Sequence, residues 1–226
     1  GSRAWGFASP DSDYDVRAIY IRPQPYYLQI DEAKDTFEFI ENQWFDVGGW
    51  DIRKALRLLR KSNAVLLEWL RSPIVYTQDD DFTGRLNALA PQYVQAAALL
   101  HHYRGIAGNA LRNMDLAQPV KLKKWFYVLR PLLAARWAVK QGGIPPMTLY
   151  ELMSEWQTDC AAQIADLVTI KAKQDESYLH TLSPELQRLT VDLYNEVSEL
   201  SAPAAQAADS APLNELFRET LVAVNG

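Results

Sequence analysis

The chain has 226 residues, 48% of them hydrophobic and seven of them Trp, with a formal charge of −5. That is ample material for the core of one large domain or two small ones, and it excludes global disorder. The acidic balance excludes a whole-surface grip on nucleic acid and leaves room only for a local basic stripe. A single cysteine, Cys160, excludes an internal disulfide, and no Cys-His spacing suits zinc; a buried, inert thiol is expected. No apolar run approaches the roughly 18 residues of a spanning helix, and no charged-then-apolar leader opens the chain. A soluble, cytoplasmic protein with no membrane partner is the expectation.

In chain order, Gly1-Ser2 reads as a turn, with a helix beginning near Arg3. Residues 13 to 22 (DYDVRAIYIR) alternate and carry Val, Ile and Tyr, so they read as a strand ending at Pro23. A loop from Pro23 to Lys34 follows, then a short strand at 36 to 40 and another at 43 to 47, broken by Gly48-Gly49. At Asp51 the period changes. Ile52, Ala55, Leu56, Leu58 and Leu59 fall at helical spacing behind Asp51 as N-cap, Ser62-Asn63 breaks the helix, and a second covers 64 to 70. Residues 72 to 76 form an extended connector. Beyond Asp79 almost everything is helical, with long segments at 91–114, 120–141, 148–172 and 183–200 and a stop at Gly142-Gly143-Ile144-Pro145-Pro146. The low-complexity run 201–211 reads as a flexible linker before a last amphipathic helix near 213–223.

The chemistry concentrates at the start. Asp13 and Asp15, two apart on a strand, project to one face and can share a divalent cation. Arg17 lies on the same face, placed either to neutralise an acid or to touch a substrate. A calcium loop is excluded, because Val16 stands where a Gly should turn the chain and Arg22 where a bidentate Glu should close the cage. His101 and His102 are adjacent on a helix and point about 100° apart, so they do not jointly ligate an ion. Lys123, Tyr127 and Arg130, at i, i+4 and i+7, form one polar stripe, which on spacing alone reads as a solvated basic face.

The Gly-Ser turn followed by D-x-D resembles the nucleotidyltransferase superfamily that contains DNA polymerase β. The run from Gly1 to Tyr20, continued by Asp46 to Lys54 and Asn63 to Leu70, is similar to its stand-alone bacterial and phage branch, some members of which are associated with RNA repair. The likeness covers most of residues 1 to 146 and is dense in the first 75.

The resemblance implies an α+β fold. A small mixed-sheet palm over 1–78, lacking its N-terminal helix and strand, would be followed by a helical bundle over 79–226, with the nucleotide in the cleft between. It implies Mg²⁺ (Mn²⁺ as the alternative ion) held by Asp13 and Asp15. A third carboxylate would come from a later neighbouring strand, where Asp46 is preferred and Asp51 is the rival. Gly1 and Ser2 would grip the β- and γ-phosphates, Arg3 would reach them, and Lys123, Tyr127 and Arg130 would face the nucleotide. The activity implied is transfer of an NMP from a nucleoside triphosphate to a hydroxyl, with RNA or another nucleic acid as the expected acceptor. AMP transfer to a protein partner, or a non-catalytic nucleotide- or RNA-binding module, are the other readings.

Overall fold

The computed structural model describes residues 1–42, 44–204 and 206–225. Gln43, first residue of the strand expected at 43–47, and Ala205, inside the expected linker, lie outside the described residues, as does Gly226. The chain forms an α+β fold in two compact units. One comprises Gly1–Ser12, Arg71–Pro73 and Gln95–Ala205; the other comprises Asp13–Leu70, Ile74–Val94 and Gln206–Gly226. This division does not follow a single boundary at 78.

The second unit carries a three-stranded mixed sheet. Strand β1 (Tyr14–Tyr20) pairs in parallel with the central β3 (Phe45–Asp51), and β2 (Thr36–Asn42) pairs with β3 antiparallel. The expected break at Gly48-Gly49 does not occur: β3 runs through both glycines, which are buried. Gly49 serves a close approach instead, because a Cβ there would collide with the ring of Phe37 on β2, whereas one on Gly48 would meet only ordinary contacts. Helix α2 (Ile52–Arg60) follows β3 directly and buries Ile52, Ala55, Leu56 and Leu59. Ser62, with φ of 54°, takes the left-handed conformation that stops it. Asn63 Oδ1 then accepts from Leu66 N at 3.0 Å to start α3 (Ala64–Leu70). Trp69 of α3 stacks on Trp50 of β3, with ring centroids 3.9 Å apart.

Two further helices complete this unit. Helix α4 (Asp80–Leu89) is capped by Asp79, whose Oδ1 accepts from Phe82 N at 2.8 Å, and it runs into a 3₁₀ turn at Ala90–Tyr93. Helix α10 (Ala211–Asn225) is longer than the expected 213–223 and packs on α4 and α2 through buried Leu213, Leu216 and Leu221. Glu219 pairs with Arg85, and the preceding residues are held as well: Tyr93 donates to the Asp209 carbonyl at 2.9 Å and Arg60 to Ser210 Oγ at 2.8 Å.

In the first unit the hub is α6 (Leu122–Lys140), packed against α5 (Ala96–Arg112) and buried on most of its circumference. Helix α9 (Pro184–Glu199) is tied to it where Trp125 Nε1 donates to Thr190 Oγ1 at 3.1 Å. The single helix expected over 148–172 is two, α7 (Leu149–Ser154) and α8 (Ala161–Lys171). Thr158 explains the interruption: its hydroxyl accepts from Cys160 N at 3.3 Å, a local bond that competes with helix continuation. Cys160 is buried with a free thiol. A two-residue ladder joins β4 (Val120–Lys121) to β5 (Leu179–His180) and pins the 172–180 segment to the start of α6. Among the described residues, no helix is long and apolar enough to cross a membrane.

The first twelve residues belong to this helical unit because their aromatic side chains, half-buried Trp5 and buried Phe7, pack on α6. Phe7 is fully buried and stacks on Phe126 at 4.9 Å, a placement that contributes about 2 kcal/mol by burial alone. The expected helix near Arg3 is a single turn, α1 (Ser2–Trp5). Gly6 closes it at φ 87°, with its N–H on the Arg3 carbonyl and that of Phe7 on the Ser2 carbonyl.

Candidate active site

Alternation along β1 puts Asp15 and Arg17 on the exposed side of the sheet, and Asp13, just ahead of the strand, keeps the same phase. The parallel register sets Asp15 opposite Asp46, so both carboxylates leave the same face from adjacent strands. Arg17 bridges them: its Nη2 donates to Asp15 Oδ1 at 3.2 Å and to Asp46 Oδ2 at 2.7 Å. Its Nη1 donates to the carbonyls of Val16 and Asp46, both at 2.9 Å. One nitrogen touching both acids shows that they converge on a single cation. Water still reaches them, with side chains 28% and 41% exposed.

Asp51 sits in a different setting, at 5% exposure. Its Oδ1 accepts from Arg53 N at 2.9 Å, the N-cap bond of α2, and its Oδ2 accepts from the Tyr27 hydroxyl at 2.8 Å. Tyr27 is pushed up to about 12, first by burial and further by Asp51, so the phenol stays a donor at any ordinary pH. Substituting Asp51 by Ala is expected to cost about 1–2 kcal/mol in urea unfolding, the loss of a cap plus a stranded phenol. Asp46→Asn, at a partly exposed pair that caps no helix, is expected to cost about 0–1 kcal/mol in the same measurement.

Within the helical unit the N-terminal loop builds a buried polar chain. The Ser2 hydroxyl donates to Ser12 Oγ at 3.0 Å, and Ser9 N donates to the same oxygen at 3.0 Å. The Ser12 hydroxyl donates in turn to Glu176 Oε1 at 3.0 Å, and Glu176 Oε2 is paired with Lys123 of α6. Arg3 donates to the Ser12 carbonyl at 2.5 Å. Lys171 is 2% exposed, donates to Ser9 Oγ at 2.8 Å and stands over the Phe7 ring. Desolvation lowers its pKa, Lys123 adds to that, and Glu176 and Asp11 oppose it.

The Lys123–Tyr127–Arg130 stripe therefore meets the Gly-Ser segment inside one unit, more than a hundred residues away in sequence. It is not a solvated face: Arg130 is 1% exposed, donates from Nε to the Met147 carbonyl at 3.0 Å, and lies 4.6 Å from the Trp5 ring. Tyr127 meets the same Trp5 edge-on at 4.9 Å. Sequence reasoning missed Ser9, Ser12, Lys171 and Glu176. Ser9 and Ser12 flank the acidic run and could have been flagged as turn residues, but nothing periodic marks Lys171 or Glu176.

Residues 1–219 match the family model described as RlaP, RNA repair pathway DNA polymerase beta family, and the chain belongs to that family. Membership suggests a nucleotidyltransferase-type function. Among curated proteins it is similar to "Uncharacterized protein YcgL" of Bacillus subtilis (strain 168). They are 42% identical over 178 residues, covering 78% of this chain and 68% of the relative. No solved structure matches the chain.

Proposed function

We propose that this protein moves an NMP from a nucleoside triphosphate to a hydroxyl of RNA, in a reaction that depends on Mg²⁺. The observation that carries the reading is the placement of Asp15 and Asp46, which face each other in register and enclose one cationic group. Exposed carboxylates already gathered around a positive charge suit a hard, oxygen-seeking divalent ion. Among the described residues no group of three or more His, Cys, Asp or Glu is placed to hold a metal ion, so Asp13, Asp15 and Asp46 do not form a ready cage and the ion would need triphosphate oxygens and water to complete its shell.

Asp13, Asp15 and Asp46 would hold Mg²⁺, or Mn²⁺ as a substitute. When bound, the ion would neutralise phosphate charge as it develops and shifts. The acceptor oxygen forms a bond to the α-phosphorus, the bond from that phosphorus to the bridging oxygen breaks, and pyrophosphate leaves while the acceptor's proton passes to solvent. The rest of the chain positions the triphosphate. Gly1, Ser2 and Arg3, with Lys123 as the point charge, would grip the phosphates. Tyr127 and Arg130 act through Trp5, holding α1 in place.

The test is ATP labelled at the α-phosphorus, offered with Mg²⁺ to RNA and to protein acceptors, with pyrophosphate measured in parallel. Label in RNA with equimolar pyrophosphate is expected, and it should vanish with EDTA. Label confined to protein would move the acceptor, and no label with no pyrophosphate would overturn the transferase reading.

A further inference from the structure

Glu176 has no part in the chemistry above, yet it sits against the lysine-rich start of α6, paired with Lys123. Its Oε1 accepts from Ser12, which in turn accepts from Ser2, and its Oε2 is paired with Lys123. Three lysines, Lys121, Lys123 and Lys124, crowd the first turn of the 19-residue α6, where the helix dipole already favours anions and disfavours cations. A lysine-rich helix start is unfavourable by itself and needs a negative partner. The chain supplies one on a loop that is separately anchored: Glu176 N donates to both Asp11 oxygens, at 3.0 and 3.1 Å, and Leu122 N donates to the Tyr178 carbonyl at 3.3 Å. The carboxylate thus takes two kinds of donor, a serine hydroxyl and a lysine ammonium, that a phosphoryl group would take.

We propose that Glu176 is a resident anion on the phosphate-binding surface, a stand-in that the incoming triphosphate must displace from Ser12 and Lys123. The inference rests on the reading of Ser2 and Lys123 as phosphate-binding residues. In the absence of nucleotide the carboxylate neutralises Lys123 and fixes the Ser2–Ser12 hydroxyls with their hydrogens pointing outward along one chain. When a triphosphate arrives, that negative charge opposes it until the loop gives way, so Glu176 lowers affinity and makes the site selective for highly charged phosphates. A purely structural glutamate would have the opposite signature, because removing it could only loosen the site.

Calorimetric titration of the full chain with inorganic tripolyphosphate, and separately with a non-hydrolysable ATP analogue, both in EDTA, tests this. Glu176→Gln keeps the size and a hydrogen-bonding carbonyl while removing the charge, and it should bind both probes on the order of 10-fold more tightly than wild type. Lys123→Met should bind more weakly. Lys123→Met combined with Glu176→Gln should gain much less from the second change than the wild-type chain does, the mark of direct coupling. Glu176→Asp, whose shorter arm cannot reach Lys123 in the same way, gives a second route should Gln disturb the fold, and intermediate tightening is expected. Wild-type binding with equal or weaker binding in both Glu176 variants would overturn the stand-in role alone. No binding of either probe by any of the proteins would overturn the phosphate-site reading along with it.

Discussion

Asp15→Asn is expected to reduce pyrophosphate release by on the order of 10³-fold, about 4 kcal/mol of lost transition-state stabilisation, while the protein stays folded. Asn keeps the shape and one oxygen of the side chain but loses the charge that, in the proposed reaction, would seat a divalent ion opposite Asp46. The structural cost is small because the group is partly exposed and its partner is not stranded. Arg17 retains Asp46 Oδ2 at 2.7 Å and two backbone carbonyls, and a solvent-exposed ion pair is worth about 0–1 kcal/mol. Asp13→Asn should behave alike. Single-turnover kinetics with saturating Mg²⁺ and unfolding in urea, run on the same preparations, separate the two effects. Turnover within tenfold of wild type in both variants would remove the acid pair from the mechanism.

The acid pair was legible because it depends only on local periodicity. A D-x-D on an alternating strand projects to one face whatever the rest of the chain does, and β1 keeps that phase through Asp13, Asp15 and Arg17. Asp51 was legible for a related reason, since a carboxylate before Ile52 and the helical spacing behind it define a cap, and the structure shows that cap in use. The misreadings have a common cause in tertiary contact. Gly48-Gly49 reads as a break when only propensity is considered, yet the central strand runs through both, and the Phe37 ring packed across Gly49 leaves no room there for a side chain unless the ring moves. The partition of the chain was hidden in a similar way. Nothing in the pattern of α10 says that Leu213, Leu216 and Leu221 pack on α4 and α2. Nothing in Trp5 or Phe7 says that their partners are Tyr127 and Phe126. Glu176 is the extreme case: its meaning comes wholly from Ser12 and Lys123, 164 and 53 residues away.

Arg130→Ala is expected to destabilise the helical unit by about 3 kcal/mol, a drop in Tm of about 6–12 °C for a protein of this size. The side chain is 1% exposed. Its removal opens a cavity beneath Trp5, takes the Nε donor from the Met147 carbonyl and abolishes the stacking of a cation on the Trp5 ring at 4.6 Å and the Tyr103 ring at 5.9 Å. Because Trp5 ends α1, the loss should also loosen the turn that carries Ser2, and affinity for a non-hydrolysable ATP analogue should fall in step with stability. Arg130→Lys keeps the charge but not the planar donor geometry, so it should recover only part of either quantity. Trp5→Phe provides the internal check: it preserves an aromatic face under the guanidinium and should cost much less than Arg130→Ala on both measures. A guanidinium that touched the triphosphate directly would behave otherwise, with Arg130→Ala leaving Tm within about 3 °C of wild type while nucleotide affinity collapsed. That pattern would return Arg130 to the nucleotide contacts and leave Trp5 held by Tyr127 and Phe7.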